Sequence, residues 1–203
     1  MNNKRQIITL GILFAAALVL TSCNSIEDDT QSASLLTVLS LQGVDSAGNK
    51  TDLLQSDVVV IDTTTGGKSY HADMAMATLK VTTLDPAPIT GTSQYSDVML
   101  ERYVISYSKP SGENREGIDV PYSFDGTLTK VIAANAQSTI SFVIVREVAK
   151  TEPPLAQLAD GYDVLQCTAR VDIYGHDLAG KKVMTTAYLT VYFANYADTA
   201  SGV

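Results

Sequence analysis

The chain has no tryptophan, two cysteines, two histidines and only four phenylalanines among 203 residues. Each scarcity closes a route. If one cysteine is consumed in processing, as argued below, Cys167 stands alone, so an intramolecular disulfide is excluded and an apolar core must supply the stability. Cys167 begins a run, Cys167 to Ile173, in which odd positions are small or apolar, as expected for a buried thiol that behaves as a small hydrophobe. The histidines, His71 and His176, have no standard ligand spacing, so no metal site and no cofactor is expected. Positive charge is also thin, 14 basic against 22 acidic residues, a formal charge of −8. That balance disfavours nucleic acid, and it disfavours attachment to anionic lipid through a basic amphipathic surface. Only tyrosine is plentiful among the aromatic residues, at ten.

What is present at the start is a short positive segment containing Lys4 and Arg5, then Ile7 to Leu20, apolar apart from Thr9 and Gly11. This is the n-region and h-region of a secretory signal, and it is shorter than the roughly 20 apolar residues of a comfortable membrane span. Leu20-Thr21-Ser22-Cys23 follows directly, with an aliphatic residue three before the cysteine and small residues between. This resembles the lipobox of bacterial lipoproteins. The resemblance implies cleavage before Cys23, a diacylglyceryl group on its sulfur and two or three acyl chains on the new N-terminus, a persistent anchor in the bilayer. Asn24 resembles an outer-membrane sorting residue, so the expected location is the cell envelope, lipid-anchored, at the outer membrane. Loss of Lys4 and Arg5 leaves 12 basic and 22 acidic groups, a formal charge of −10.

The expected organisation is a signal peptide at 1–22, a lipidated N-terminus and flexible tether at 23–34, and one domain at 35–203. The tether holds Glu27-Asp28-Asp29 and polar residues, with little that could order it. From Leu35 onward, short runs rich in Val, Ile, Thr and Tyr alternate with period two and are separated by Gly, Pro, Asp and Asn. Strands are expected near 35–41, 58–62, 75–83, 98–108, 127–133, 139–147, 164–174 and 182–193. The last two should be antiparallel neighbours joined by a hairpin loop at Gly175 to Gly180, and Pro153 to Gly161 reads as one short crossover helix. The fold class is all-β, an immunoglobulin-like sandwich of about seven to nine mostly antiparallel strands.

The segment Tyr174-Gly175-His176-Asp177-Leu178-Ala179-Gly180, with the Thr/Tyr/Val strand ending in Tyr192-Phe193-Ala194-Asn195, resembles uncharacterised bacterial lipoproteins carrying a secreted immunoglobulin-like sandwich. The resemblance implies location and fold, and it brings no activity.

Catalytic signatures are missing. There is no Gly-x-Ser-x-Gly elbow. Ser106 and Lys109 match a Ser-x-x-Lys spacing, but they end an expected strand before Pro110, and no Lys-Thr-Gly accompanies them. His71 with Asp73, and His176 with Asp177, read as solvated surface pairs. Calcium could draw on Asp172, Asp177 and Asp198, or on Asp62 with Asp73, but no EF-hand loop is present. The distinctive feature is Tyr174, Tyr188 and Tyr192 on the polar faces of the last two strands. They would either pair across the sheet or offer an aromatic binding face. The expected function is therefore a non-enzymatic structural or protein-interaction module, attached to the bilayer through acylated Cys23 and engaging an envelope protein. The alternatives are a small-ligand or carbohydrate-binding module using those tyrosines or the loops, and a hydrolase with an unfamiliar site.

Overall fold

A computed structural model describes residues 32–45, 48–85 and 93–196. The strands are β1 (Ser34–Val44), β2 (Lys50–Thr51), β3 (Leu53–Asp57), β4 (Val60–Ile61), β5 (Lys68–Ser69), β6 (Asp73–Thr83), β7 (Val98–Ser108), β8 (Phe124–Ile132), β9 (Gln137–Val145), β10 (Leu165–Asp177) and β11 (Lys182–Ala194). They form a four-stranded sheet ordered β2-β1-β6-β9 and a five-stranded sheet ordered β3-β11-β10-β7-β8, with β4 and β5 as a separate two-stranded piece. All pairings are antiparallel except that of β3 with β11. The domain is all-β and sandwich-like, as the alternation implied.

The alternation decides which faces meet. In β6, Ala75, Ala77, Leu79 and Val81 are fully buried, while Met76, Thr78, Lys80 and Thr82 are half-exposed. In β10 the same rule buries Cys167, Ala169, Val171 and Ile173, and in β11 it buries Val183, Leu189, Val191 and Phe193. Ile140, Phe142 and Ile144 of β9 join them in one core. Each such large side chain contributes roughly 1.5–3 kcal/mol by leaving water, so this shared interior is what holds the two sheets together.

Three expectations are corrected. The hairpin between the last two strands is tighter than expected, because Gly175, His176 and Asp177 stay in β10, where Gly175 and His176 pair with Val183 and Lys182 and all three pair with Leu100, Met99 and Val98 at the start of β7. The strand expected at 58–62 is reduced to β4, which pairs with β5: Val58 and Val59 are consecutive and both fully buried, which a period-two strand on a sheet surface does not allow, and the strand that joins the five-stranded sheet here is β3 just before them. The single crossover helix is instead α1 (Glu147–Lys150) followed by a 3-10 turn at Leu155–Leu158, because the Pro153-Pro154 pair interrupts the segment.

The strands define two ends. At one, the chain enters: the Ser32 hydroxyl donates to Asp177 Oδ2 at 2.6 Å, the Ser34 hydroxyl to the Ser96 carbonyl at 2.6 Å, and the Leu84 amide to the Ala33 carbonyl at 2.8 Å. The turn joining β8 to β9 and the hairpin after Asp177 lie here too. The other end carries the loop from Lys109 to Ser123, α1 and the segment running on to Val164, and it is where Asn195 donates to the Ala159 carbonyl at 2.7 Å.

Candidate functional site on the outer face of the larger sheet

Even-numbered residues of β10 and β11 point away from the core, so Tyr174, Tyr188 and Tyr192 share the outer face of the five-stranded sheet. They do not form a continuous stripe. The register sets Tyr188 opposite Arg170, Thr186 opposite Asp172, and Tyr174 opposite Met184. Tyr188 and Tyr192 are four residues apart on one strand, a separation of about 13 Å. Tyr188 is the exposed ring, at 63%. Tyr174 is half-buried beneath the Arg102 guanidinium, 4.3 Å from the ring centroid, and Tyr192 is half-buried, its carbonyl accepting from the Tyr196 hydroxyl at 3.3 Å.

Between the rings lies a polar centre. Arg170 Nε donates to Asp172 Oδ1 at 3.0 Å, and the Thr186 hydroxyl donates to the same oxygen at 2.6 Å. The hydrogen bond that Arg170 donates to Asp172 raises the pKa of the guanidinium further and fixes its positive charge. The face therefore offers one flat exposed ring, an oriented guanidinium and a carboxylate. These groups suit hydrogen bonding and stacking with a partner, and they include no activated nucleophile.

A second cluster, which the sequence does not mark, lies at the end opposite Ser32. Lys150, 1% exposed, pairs with Asp73 Oδ2 at 3.0 Å, and Ser56 donates to that oxygen at 2.6 Å. Burial pushes the Asp73 carboxyl above its ordinary range, against the pull of the Lys150 charge. Nearby, the Tyr107 hydroxyl donates to the Ile144 carbonyl and burial drives its pKa up. Arg146 stacks on Phe124 at 4.7 Å, and its buried Nε has no hydrogen-bond partner. Nothing in local spacing announces this cluster, since its members come from positions 56, 73, 107 and 150.

The remaining candidates are dispersed. Asp73 faces Lys150 and lies within electrostatic reach of His71, which is exposed beside Ser69, so the carboxylate of this pair is committed to the interior and only the imidazole is solvated. Asp62 accepts from Thr64 and Thr65 within its own turn. Asp177, 2% exposed, is engaged by Ser32 and by the amides of Ala179 and Lys181, and His176 Nδ1 lies 3.1 Å from Glu101. Among the described residues no three His, Cys, Asp or Glu side chains are grouped to hold a metal ion. Ser106 is half-buried on β7, and Cys167 is fully buried, its thiol pushed up to about 12 by burial. Cys23 and Asp198 lie outside the described residues. No helix among the described residues is long and apolar enough to cross a membrane.

No protein-family profile matches the chain, and no curated protein matches it.

Proposed function

We propose that this chain is a lipid-anchored module of the bacterial cell envelope, acylated at Cys23 and facing an extracytoplasmic space at the outer membrane, whose β domain engages a protein partner without catalysing a reaction. The observation that carries the reading is the apolar segment ending directly in Leu20-Thr21-Ser22-Cys23. Support comes from the start of the domain: Ser32, nine positions beyond Cys23, is fastened to Asp177. An anchor followed by a short tether and a stable sandwich is the arrangement expected of a display module.

An immunoglobulin-like arrangement is part of this proposal. The order β1-β6-β9 in one sheet and β11-β10-β7-β8 in the other corresponds to the A-B-E and G-F-C-C′ orders of that fold. The contact surface proposed for the partner is the face around Tyr188, where an exposed ring adjoins the Arg170–Asp172 pair. Interfaces favour such Tyr and Arg anchors. A carbohydrate platform is a weaker reading, because Arg170 and Thr186 interrupt the three tyrosines. The hydrolase reading has less support still, because Lys150, Asp73 and Ser56 hold one another in the interior.

Two measurements test the proposal. Intact mass of the native protein should show Cys23 as an acylated N-terminus; residues 1–22 still attached, or Cys23 bare, would overturn the anchor. Crosslinking in intact envelopes should recover a reproducible protein partner, and Tyr188→Ala should reduce its yield at least fivefold. An unchanged yield would remove the Tyr188 face from the proposal.

A further inference from the structure

The surface around the point of chain entry exposes apolar side chains, as the opposite end does at Ile118, Tyr162 and Val164. At the entry end Leu84, Tyr95 and Leu178 are exposed at 58%, 69% and 42%. Hydrogen bonds hold all three beside the entering strand. The Leu84 amide donates to Ala33, and the Leu178 amide donates to the Asp97 carbonyl at 2.9 Å. Tyr95 sits in a 3-10 turn capped by Ser93, and Ser34 ties that turn to β1 through the Ser96 carbonyl. Asp97 Oδ1 also accepts from the Ala134 amide at 2.8 Å, which fixes the β8–β9 turn in the same group.

Charge is distributed unevenly between the two ends. Lys130, Lys181 and Lys182 lie toward the entry end, together with Asp85, Asp97, Glu101 and Asp177. The opposite end exposes Asp62, Glu113, Glu116, Glu147, Asp160 and Asp163, against Lys50, Lys68, Lys109 and Arg115, of which Lys68 and Arg115 are paired with Asp160 and Asp119. The acidic excess of the chain thus gathers at the end away from its point of entry, and the entry end is close to charge balance.

We propose that the entry end of the domain, which carries Leu84, Tyr95 and Leu178 and, on the adjoining strands, Lys130 and Lys182, docks on the lipid surface in which Cys23 is anchored. The inference rests on the anchoring reading. Ser32 is nine positions beyond Cys23, so the entry end is kept within about 30 Å of the acyl chains. Tyrosine and leucine suit the headgroup boundary, and lysines beside them reach anionic headgroups with their stems on apolar surface. The contact is weak by itself and becomes effective because the anchor makes it intramolecular. Strands of 13 residues, as in β10 and β11, span about 40 Å. Docking therefore holds the acidic end well clear of the bilayer and leaves the Tyr188 face standing beside it.

The test uses the mature, acylated protein on phosphatidylcholine vesicles with one fifth phosphatidylglycerol. A bimane label is placed at Ala179→Cys or Ala133→Cys at the entry end, or at Ser111→Cys at the far end, and quenched by brominated lipid. Quenching at residues 179 and 133 should exceed that at residue 111 at least threefold. The combined Tyr95→Ser, Leu178→Ser and Lys182→Glu variant should erase that difference while still sedimenting with vesicles. Equal quenching at both ends, or none at residues 179 and 133 in protein that sediments, overturns docking and leaves the anchor standing. Protein that carries no acyl mass at Cys23 and does not sediment defeats the anchor, and docking falls with it.

Discussion

Lys150 reaches from α1 to within 3.0 Å of the Asp73 carboxylate, joining the first residue of β6 to a helix that follows β9. Ser56, from β3 of the other sheet, donates to the same oxygen. One charged cluster thus ties both sheets and the connection beyond them. It stands beside the continuous apolar core that the two sheets share.

Removing one member of that pair should cost more than removing both. Asp73→Ala leaves the Lys150 ammonium buried and uncompensated, and should lower unfolding stability by about 3 kcal/mol. Adding Lys150→Met to it should recover most of the loss, because the methionine fills the same space without a charge. Urea denaturation of the two single variants and the double variant measures the coupling. A loss below about 1 kcal/mol for Asp73→Ala would show that the pair is not a structural tie.

Acid stability should respond to two carboxylates with opposite sign. Burial raises the Asp73 carboxyl above its unfolded value. Its contribution is therefore complete below that unfolded value and is lost as pH rises through the raised folded value. Asp119 behaves in the reverse way, since hydrogen bonding from the Arg115 side chain lowers its carboxyl. That contribution is present above the unfolded value and is lost as pH falls through the lowered one. Denaturation midpoints between about pH 2 and pH 6 span both windows. Asp119→Asn should flatten the loss on the acid side, and Asp73→Asn should remove a decline just above the ordinary carboxylate value. Unchanged profiles in both variants would refute these assignments.

The strands were legible where burial is one-sided. Val98–Ser108 is the strand expected from alternation, and Ala75 to Val81 and Cys167 to Ile173 bury the residues the pattern indicated. Legibility failed where consecutive residues are buried together, as at Val58 and Val59, because a chain crossing between elements loses its period. The outer-face placement of Tyr174, Tyr188 and Tyr192 could be read from parity alone. Their separation by Arg170 and Thr186 could not, because it depends on the register between β10 and β11. The Lys150, Asp73 and Ser56 contact was illegible for a similar reason: it is made by the packing of two sheets, which no local spacing encodes.

Two glycines should resist substitution by alanine. A Cβ on Gly126 would lie 2.4 Å from the Tyr103 ring, which covers this glycine and packs edge-on against Phe124. A Cβ on Gly175 would lie 2.2 Å from the Met99 carbonyl oxygen, where β10 and β7 slip register. A ring can shift, but a strand backbone cannot move without breaking its ladder. Gly126→Ala should therefore cost about 1–3 kcal/mol, and Gly175→Ala should cost more. Thermal unfolding of the two variants gives the order, and the reverse order would contradict this account.

Cys167 should be chemically silent in the folded domain. It is fully buried on β10, and burial pushes its thiol up to about 12. The thiolate is the reactive form, so at pH 8 raising the pKa from near 9 to about 12 lowers its fraction by about two to three powers of ten, before shielding by the core is counted. A disulfide reagent added to the acylated protein, whose Cys23 sulfur is blocked, should find almost no thiol until denaturant is added and then one per chain. Half-times measured across a denaturant series should follow global unfolding. Rapid reaction without denaturant would mean that the edge of the core near Lys109, the residue whose charge acts on this thiol, opens locally.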